Sequence, residues 1–573
     1  MSQATRKIPK QPEVNIGTAG HVDHGKCLAF DETVVVDGSP ITGRELAARA
    51  EGSHLCDFDG GSFFSLEGAT VAGLDDGLRV VRTSPFLYVQ EYAGAMYTVE
   101  TSSGRRVSVT PGHPLLSEGR RGLAWTKARE LGEGQGIAYV DGPGMEVERV
   151  SRISVRRYEG PIFDLTVPPF ANFVSGDGGI VCHNTTLTEA LTGKWTSAHS
   201  EELRRGITIR VGYADAAVYR CTGCSPPACY NTAGECDGCG GEAKLERVIS
   251  MVDSPGHESL MANMLCGAAL MDGALLVIAA NEPVPQPQTK EHVQALQMVG
   301  VKNIVVAQNK VDLVSYAQAL ENMERIRAFL DSYGFKDSRI IPISAQKRLN
   351  IDALIEAMER VIPTPPRDPD SIPFMSVLRS FDVNMPGTPI ADVKGGVVGG
   401  TLMKGKLKTG DEVEVKPGIY DSAKGKYTSV VTKVVSLGTS AGLVDEVHPG
   451  GLVAIGTSLD PSFTRSDSLV GCLIGPPGTL PEELGQVEMK TSLFGSVVGA
   501  PQAIKVEPIK MGEVLRLNVA TATTAGSVVQ LRGNVVTVKL AKPVCPPPDA
   551  KVAISRRVAD RWRLIGSGVL TTA

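Results

Sequence analysis

Gly20-His21-Val22-Asp23-His24-Gly25-Lys26 stops one residue short of the pattern GxxxxGK[ST], and the missing hydroxyl residue, Thr185, follows only after residues 27–184. In such a loop the glycines let backbone N–H groups surround a phosphate, Lys26 supplies a cation near the outer phosphates, and the Thr185 hydroxyl suits magnesium. Val14 and Ile16 read as a buried strand feeding the loop. The expected helix does not begin after Lys26. Instead CLAFDETVVVDG, from Cys27, opens a β-rich, turn-rich stretch that continues through RVSVTPGHPLLS at 106–117 and YEGPIFDLTV at 158–167. Helical phase begins after Asn184 in TTLTEALTG, with Leu187 and Leu191 one turn apart. The chain therefore reads as a host, 1–26 and 185–573, and an interruption, 27–184.

Charge separates the two parts. The interruption carries 14 Lys/Arg against 21 Asp/Glu, a balance of −7, which leaves the host 44 against 42 and near neutrality. A balance of that kind neither demonstrates nor excludes RNA binding, because a local patch can do that work. A length of 573 residues with 42% hydrophobic composition supports several cores and argues against overall disorder. Glycine at 63 and proline at 36, against 29 aromatics, favour short strands and many turns. The first residues, MSQATRKIPKQPEVNIG, lack the apolar stretch of a secretory peptide, and the apolar run Ala274 to Ala280 is too short to cross a bilayer. A cytoplasmic protein without membrane association is expected.

Beyond residue 248 the pattern alternates strand and helix. VISMVDSPG, MDGALLVIAA, NIVVAQNKVD and SRIIPISA read as strands, TKEHVQALQMVG and IDALIEAMERVI as helices, before a proline-rich linker at 363–369. This order predicts a mostly parallel sheet covered on both faces. Asp253, in DSPGH, follows an apolar strand where it can hold magnesium through water, and the Gly256 N–H can sense a terminal phosphate. NKVD at 309–312 suits guanine: Asp312 accepts from the ring N–H and amino group, Asn309 fixes the loop, and Lys310 packs across the base. Ser344, Ala345 and Gln346 complete the pocket with a backbone donor. The order of these segments separates a GTP site from an ATP site. Asp23, His24, Gly25, Lys26, Thr185 and Thr186 are the candidate phosphate contacts.

With RRGITIRVGYADA at 204–216, DSPGHE at 253–258 and QNKVDLV at 308–314, the host resembles the translational GTPases, most closely the gamma subunits of archaeal translation initiation factor 2. The resemblance implies that Thr208 closes over magnesium and the terminal phosphate, and that His257 lies beside the attacking water, positioning it or stabilising the transition state rather than securely accepting its proton. It also implies GTP/GDP exchange, Mg2+, methionyl initiator tRNA, the small ribosomal subunit, and alpha and beta partner subunits. FDVNMPGTPI at 381–390 and GGVVGGTLMKG at 395–405 resemble that family's second domain, QVEMKTSLFG at 486–495 and RWRLIGSG at 561–568 its third. An elongation-type factor for another aminoacyl-tRNA shares the same layout.

Cys221, Cys224, Cys236 and Cys239 have the C-x2-C-x11-C-x2-C spacing of a tetrahedral zinc site. Four thiolates leave no open position, so a structural Zn2+ is expected, in a reducing compartment. Cys229 is a fifth candidate of uncertain use.

The interruption starts at Cys27, ends in His183-Asn184 and is followed by Thr185; with TPGH at 110–113 and FDLTV at 163–167 it resembles a protein-splicing intein of the Hint fold. The resemblance implies a Cys27 nucleophile, Thr110 and His113 polarising the peptide and moving a proton, Asp164 assisting central proton transfers, His183 assisting cyclisation of Asn184, and Thr185 as second nucleophile. A buried structural carboxylate is the other reading of Asp164. Where the family often has a histidine, this chain has Ala171-Asn172-Phe173. Its size fits a mini-intein without a nuclease. A scaffold with an inactive intein is the noncatalytic alternative. The expected architecture is multidomain: an α/β P-loop GTPase domain at 1–26 and 185–368 with a zinc knuckle at 221–239, an all-β Hint intein at 27–184, and β-barrel domains at 369–466 and 467–573.

Overall fold

The computed structural model describes residues 8–20, 27–183, 212–253 and 261–571, apart from stretches of one to six residues inside those ranges. The interruption and the host fall into two compact units.

In the host unit a seven-stranded sheet runs in the order Tyr230–Asn231, Gly212–Arg220, Lys244–Asp253, Val14–Gly20, Gly273–Ala279, Ile304–Asn309, Arg339–Pro342. The last five are mutually parallel, and Gly212–Arg220 adds antiparallel to Lys244–Asp253. Parallel strands covered on both faces need near-continuous apolar sequence. GALLVIA and IVVAQN supply it, and Leu275, Leu276, Val305 and Val306 are fully buried. Helices Met261–Ala268, Pro287–Val299, Tyr316–Ser332 and Ile351–Val361 accompany the strands. Ser315 caps the third in a reciprocal box with Gln318, and Gly300 ends the second in a left-handed conformation that suits glycine. The helix expected in TTLTEALTG lies outside the described residues.

Beyond Phe374 two closed barrels follow. In the first, pairing runs Glu412–Asp421, Leu473–Gly475, Phe374–Phe381, Val397–Lys404, Val453–Thr457, Lys426–Thr439 and returns to Glu412–Asp421. The boundary expected at 466/467 is therefore corrected: Leu473 and Ile474 pair with Ser376 and Met375, and the barrel could not close without them. The second barrel comprises six strands between Leu484 and Leu570 around a core that includes Val487, Leu515, Val538 and Ile565.

Residues ahead of the phosphate loop join the seven-stranded sheet to the first barrel. The Gln11 side-chain amide donates to the carbonyls of His448 (2.5 Å) and Gly450 (2.7 Å). Asn15 donates to Leu270 O and Thr401 Oγ1 and accepts from Gly451 N–H. Gly450 has φ +107°, and a Cβ there would meet the Glu13 backbone at 2.9 Å, so the approach requires glycine.

The interruption, taken by itself, is almost wholly β. Two long strands, Phe86–Thr101 and Gly144–Thr166, pair antiparallel with one irregularity between Val150 and Arg152. Leu28, Leu87, Phe163, Leu165 and Phe173 lie in its core. A single short α-helix, Gly43–Arg49, is present among the described residues, capped by Thr42 with Glu45. No helix among the described residues of the chain is long and apolar enough to cross a membrane.

Candidate functional site

Among the described residues, Asn309, Lys310, Asp312, Ser344 and Ala345 lie at or just after the carboxyl ends of Ile304–Asn309 and Arg339–Pro342, the edge where open α/β sheets hold ligands. Thr18, near the end of the strand that feeds the phosphate loop, is in register with Asp253. Asn309 ends Ile304–Asn309, and its side-chain oxygen accepts from Lys310 N–H (2.9 Å) and Ala345 N–H (3.0 Å), tying the NKVD and SA loops together. Lys310 takes the left-handed conformation, φ +63° and ψ +32°. Burial pushes its ammonium down to about 8, against the attraction of Asp312. Ser344 fixes the second loop: its N–H and carbonyl bond Leu349, and its hydroxyl accepts from Lys347 N–H. Behind the site the Gln308 amide donates to Ala319 O and Asn322 Oδ1, anchoring the strand end to Tyr316–Ser332. Asp23, His24, Gly25, Lys26, Thr185, Thr186, Thr208, Gly256, His257, Gln346, and the side chain of Asp253, lie outside the described residues.

The four paired cysteines also converge. Cys221, just past Gly212–Arg220, has its sulfur 3.6 Å from that of Cys239, and Cys236 is 3.5 Å from Cys224; all four sulfurs lie within 4.8 Å of one another. Tetrahedral zinc with bonds of about 2.3 Å requires sulfurs a little under 4 Å apart. Mutual hydrogen bonding, first with Cys236 and then Cys239, drives the Cys224 thiol up to about 12, and a divalent cation would reverse that by favouring thiolates. Cys229 contributes differently: it is buried, and its carbonyl accepts from Cys221 N–H.

In the interruption, strand register builds a third centre. Ala29, Ile162 and Gln90 are cross-strand neighbours, as are Asp164 and Tyr88. Cross-strand neighbours share a face, so continuing the register by one residue sets Cys27 on the same side as Tyr88, Gln90, Ile162 and Asp164. Leu28, Leu87, Phe163 and Leu165 occupy the opposite face, in the core. The Thr110 hydroxyl accepts from Cys27 N–H (3.0 Å) and donates to Cys27 O (3.2 Å), and Thr110 N–H donates to that carbonyl (2.9 Å). The nitrogen of the Lys26–Cys27 peptide is thus held by the threonine expected to polarise it. His113, fully buried, closes the turn by donating its backbone N–H to Thr110 O, with its ring edge-on to Phe173. Asp164 accepts from Leu165 N–H.

Asn172 pairs in register with His183, but its carboxamide is bound to both the N–H and the carbonyl of Leu74. Burial raises the Cys182 thiol far above its ordinary range. The side chain of His183 and all of Asn184 lie outside the described residues. Sequence reading missed Gln90, whose amide Nε2 donates to Cys27 Sγ at 3.6 Å, and Tyr88, whose hydroxyl donates to Gln90 Oε1 at 3.0 Å.

The family described as Elongation factor Tu GTP binding domain matches residues 180–364, and that described as Initiation factor eIF2 gamma, C terminal, matches 485–570. Translation initiation factor 2 subunit gamma of Archaeoglobus fulgidus is 52% identical over 396 residues, spanning 68% of this chain and 93% of the relative. Its Pyrococcus abyssi counterpart is 52% identical over 398 residues, 68% of this chain and 96% of the relative. This chain belongs to the translation initiation factor 2 gamma family. The GTP-binding domain is accordingly that of a translational GTPase. The fold is also similar to that of a bacterial selenocysteine-specific elongation factor, EF-Sec, at 22% identity and TM-score 0.50, over 67% of this chain and 55% of that one. About two thirds of this gamma-family chain thus accounts for nearly the whole length of its relatives.

Two outcomes follow for the host sites. Asn309→Ala leaves two loop N–H groups without their acceptor, at about 1–3 kcal/mol each, and is expected to weaken GTP binding at least about tenfold in isothermal titration; unchanged affinity refutes the clamp. A metal ion held by these four sulfurs is expected to be lost on Cys236→Ser, falling to near zero in elemental analysis of anaerobically purified protein, and undiminished metal would place the ion elsewhere.

Proposed function

We propose that this chain is a self-splicing precursor of a GTP-dependent translation initiation factor gamma subunit, with residues 27–184 as a Hint-type mini-intein. The observation that carries the proposal is the junction itself: joining Lys26 to Thr185 completes GxxxxGK[ST]. Two further observations support it. The match to the GTP binding domain begins at residue 180, at the far end of the interruption. The relatives are spanned to 93–96% by 68% of this chain.

The chemistry proceeds in four steps. Cys27 Sγ attacks the Lys26 carbonyl carbon; the C–S bond forms, the C–N bond breaks, and the thiol proton ends on the Cys27 amine. Thr110 holds that nitrogen, and His113 is the leading group to deliver the proton. Thr185 Oγ1 then displaces Cys27 sulfur, forming a branched ester and returning a thiol. The Asn184 side-chain nitrogen attacks its own carbonyl, cleaving the Asn184–Thr185 bond with help from His183, and Asp164 assists the proton movements. Finally the freed Thr185 amine takes the acyl group from its own oxygen, giving an amide and a free hydroxyl.

In the ligated product, Lys26, Thr185, Thr208 and Asp253 would hold phosphates and Mg2+, which neutralises developing phosphate charge when bound. Asn309, Lys310, Asp312, Ser344 and Ala345 would select guanine, and His257 would order the attacking water. Methionyl initiator tRNA, the small ribosomal subunit and alpha and beta subunits are the partners, in the cytoplasm. The 52% identity to initiation factor relatives favours this over an elongation-type factor, where the likeness is one of fold.

Intact mass spectrometry of the purified product tests the proposal. Species of 158 and 415 residues are expected from the 573-residue chain, and Asn184→Ala should stop ligation; a persistent full-length chain under reducing conditions overturns splicing. A precursor locked by Cys27→Ala with Asn184→Ala lacks the Thr185 hydroxyl beside Lys26. It is expected to bind Mg-GTP at least about 100-fold more weakly than the ligated host, and equal affinity in a fluorescent-nucleotide titration would show that the interrupted loop is already competent.

A further inference from the structure

We infer that Gln90 is a hydrogen-bond donor to the Cys27 nucleophile, oriented by Tyr88, and that it sets the rate and pH dependence of the first acyl shift. The inference rests on the splicing reading above and adds a residue outside the motif set that suggested it.

A primary amide nitrogen can only donate, so the 3.6 Å contact from Gln90 Nε2 makes Cys27 sulfur the acceptor. Donation to sulfur stabilises the thiolate over the thiol and favours the form that attacks carbon. The amide is held at its other end as well. Tyr88 is almost wholly buried, and its hydroxyl donates to Gln90 Oε1 at 3.0 Å. In this orientation the hydroxyl holds the amide oxygen and leaves the nitrogen toward sulfur. Tyr88 is thus a positioning residue.

The surroundings make the contact consequential. Cys27 is buried with Ala29, Met96 and Ile162, and Tyr92 and Tyr158 pack against the cluster. In such a setting a thiolate has little water to stabilise it, so one amide donor carries more weight than at a surface. Among the described residues, the titratable groups around this centre are Tyr88 on the strand of Gln90, Tyr92 and Tyr158 from the cluster, Asp164 across the strand register, and His113 on the turn that carries Thr110. Burial raises the Tyr92 phenol above its usual range. A carboxylate at Asp164 would disfavour a thiolate, and Gln90 supplies a neutral donor that favours it.

The step itself is balanced as given above: the C–S bond forms, the Lys26–Cys27 C–N bond breaks, and the thiol proton ends on the amine. Added dithiothreitol then exchanges with the thioester and releases residues 1–26. The full chain carrying Asn184→Ala and Thr185→Ala confines the reaction to this step, and release is followed by mass spectrometry from pH 6 to 9.

Gln90→Leu is expected to slow release about tenfold and to raise its pH midpoint by about one unit. Tyr88→Phe should shift both in the same direction by less, and the double variant should be no slower than Gln90→Leu alone, because both act through one contact. Cleavage at Asn184, followed in a Cys27→Ala chain, should be unaffected by Gln90→Leu. Unchanged rate and pH midpoint overturn the inference while leaving splicing intact. Equal slowing at both ends shows a general structural role and also overturns it. If the parent chain forms no thioester, the splicing reading fails and the inference with it.

Discussion

The host fold depends on the placement of Val14–Gly20 between Lys244–Asp253 and Gly273–Ala279, since both neighbours of this strand come from beyond the interruption. Gly20 and Lys244 are 224 positions apart, 158 of them in residues 27–184. Closure entropy rises only with the logarithm of loop length, so lengthening the connection roughly threefold costs about 1 kcal/mol, and less when the added segment is itself compact. Complete burial of Val14 and Ile16 outweighs that. The sheet therefore tolerates an insertion at its central strand's exit. It does so with help from outside the sheet, because Gln11 and Asn15 bond the first barrel through His448, Gly450, Gly451 and Thr401.

A different constraint shapes the interruption. Its chemistry-bearing residues come from segments far apart in sequence, and strict alternation along Phe86–Thr101 and Gly144–Thr166 decides which side each faces. Moving either strand by one residue would turn Asp164 and Gln90 into the core and expose Phe163 and Leu87. The hydrophobic set thus fixes the polar set. Thr110 reaches Cys27 because the adjoining strand pairs Val109 with Leu28, which delivers the turn to the first residues of the unit.

Local patterns in the sequence were sufficient for much of this. Parallel strands buried on both faces produce runs such as GALLVIA, and the loops at their ends carry NKVD and SA, which the Asn309 side chain joins. The cysteine spacing likewise encodes a cluster whose geometry is visible in four residues. The barrel boundary was not legible, because Leu473–Gly475 is three residues long and its partners lie about Met375 and Val415. Gln90 was hidden for the same reason: its meaning comes from Cys27 across the sheet and Tyr88 on its own strand, and glutamine in an alternating strand ordinarily marks a solvated face. Cross-strand neighbours leave no local signature when register is set elsewhere.

On the proposed chemistry, one hydroxyl serves both halves of the molecule in turn. Thr185 Oγ1 is the second nucleophile of splicing and the magnesium-facing group of the completed phosphate loop. During the branched intermediate that oxygen is esterified and cannot serve the metal. Excision at Asn184 alone does not free it; only the final oxygen-to-nitrogen shift does, when the new amide reduces the distance from Lys26 to Thr185 to one peptide bond. Nucleotide competence is then tied to ligation rather than to cleavage. A chain that cleaved without joining would separate the strand Val14–Gly20 covalently from the rest of its own sheet, leaving it held by strand pairing, by the burial of Val14 and Ile16 and by contacts such as those of Gln11 and Asn15.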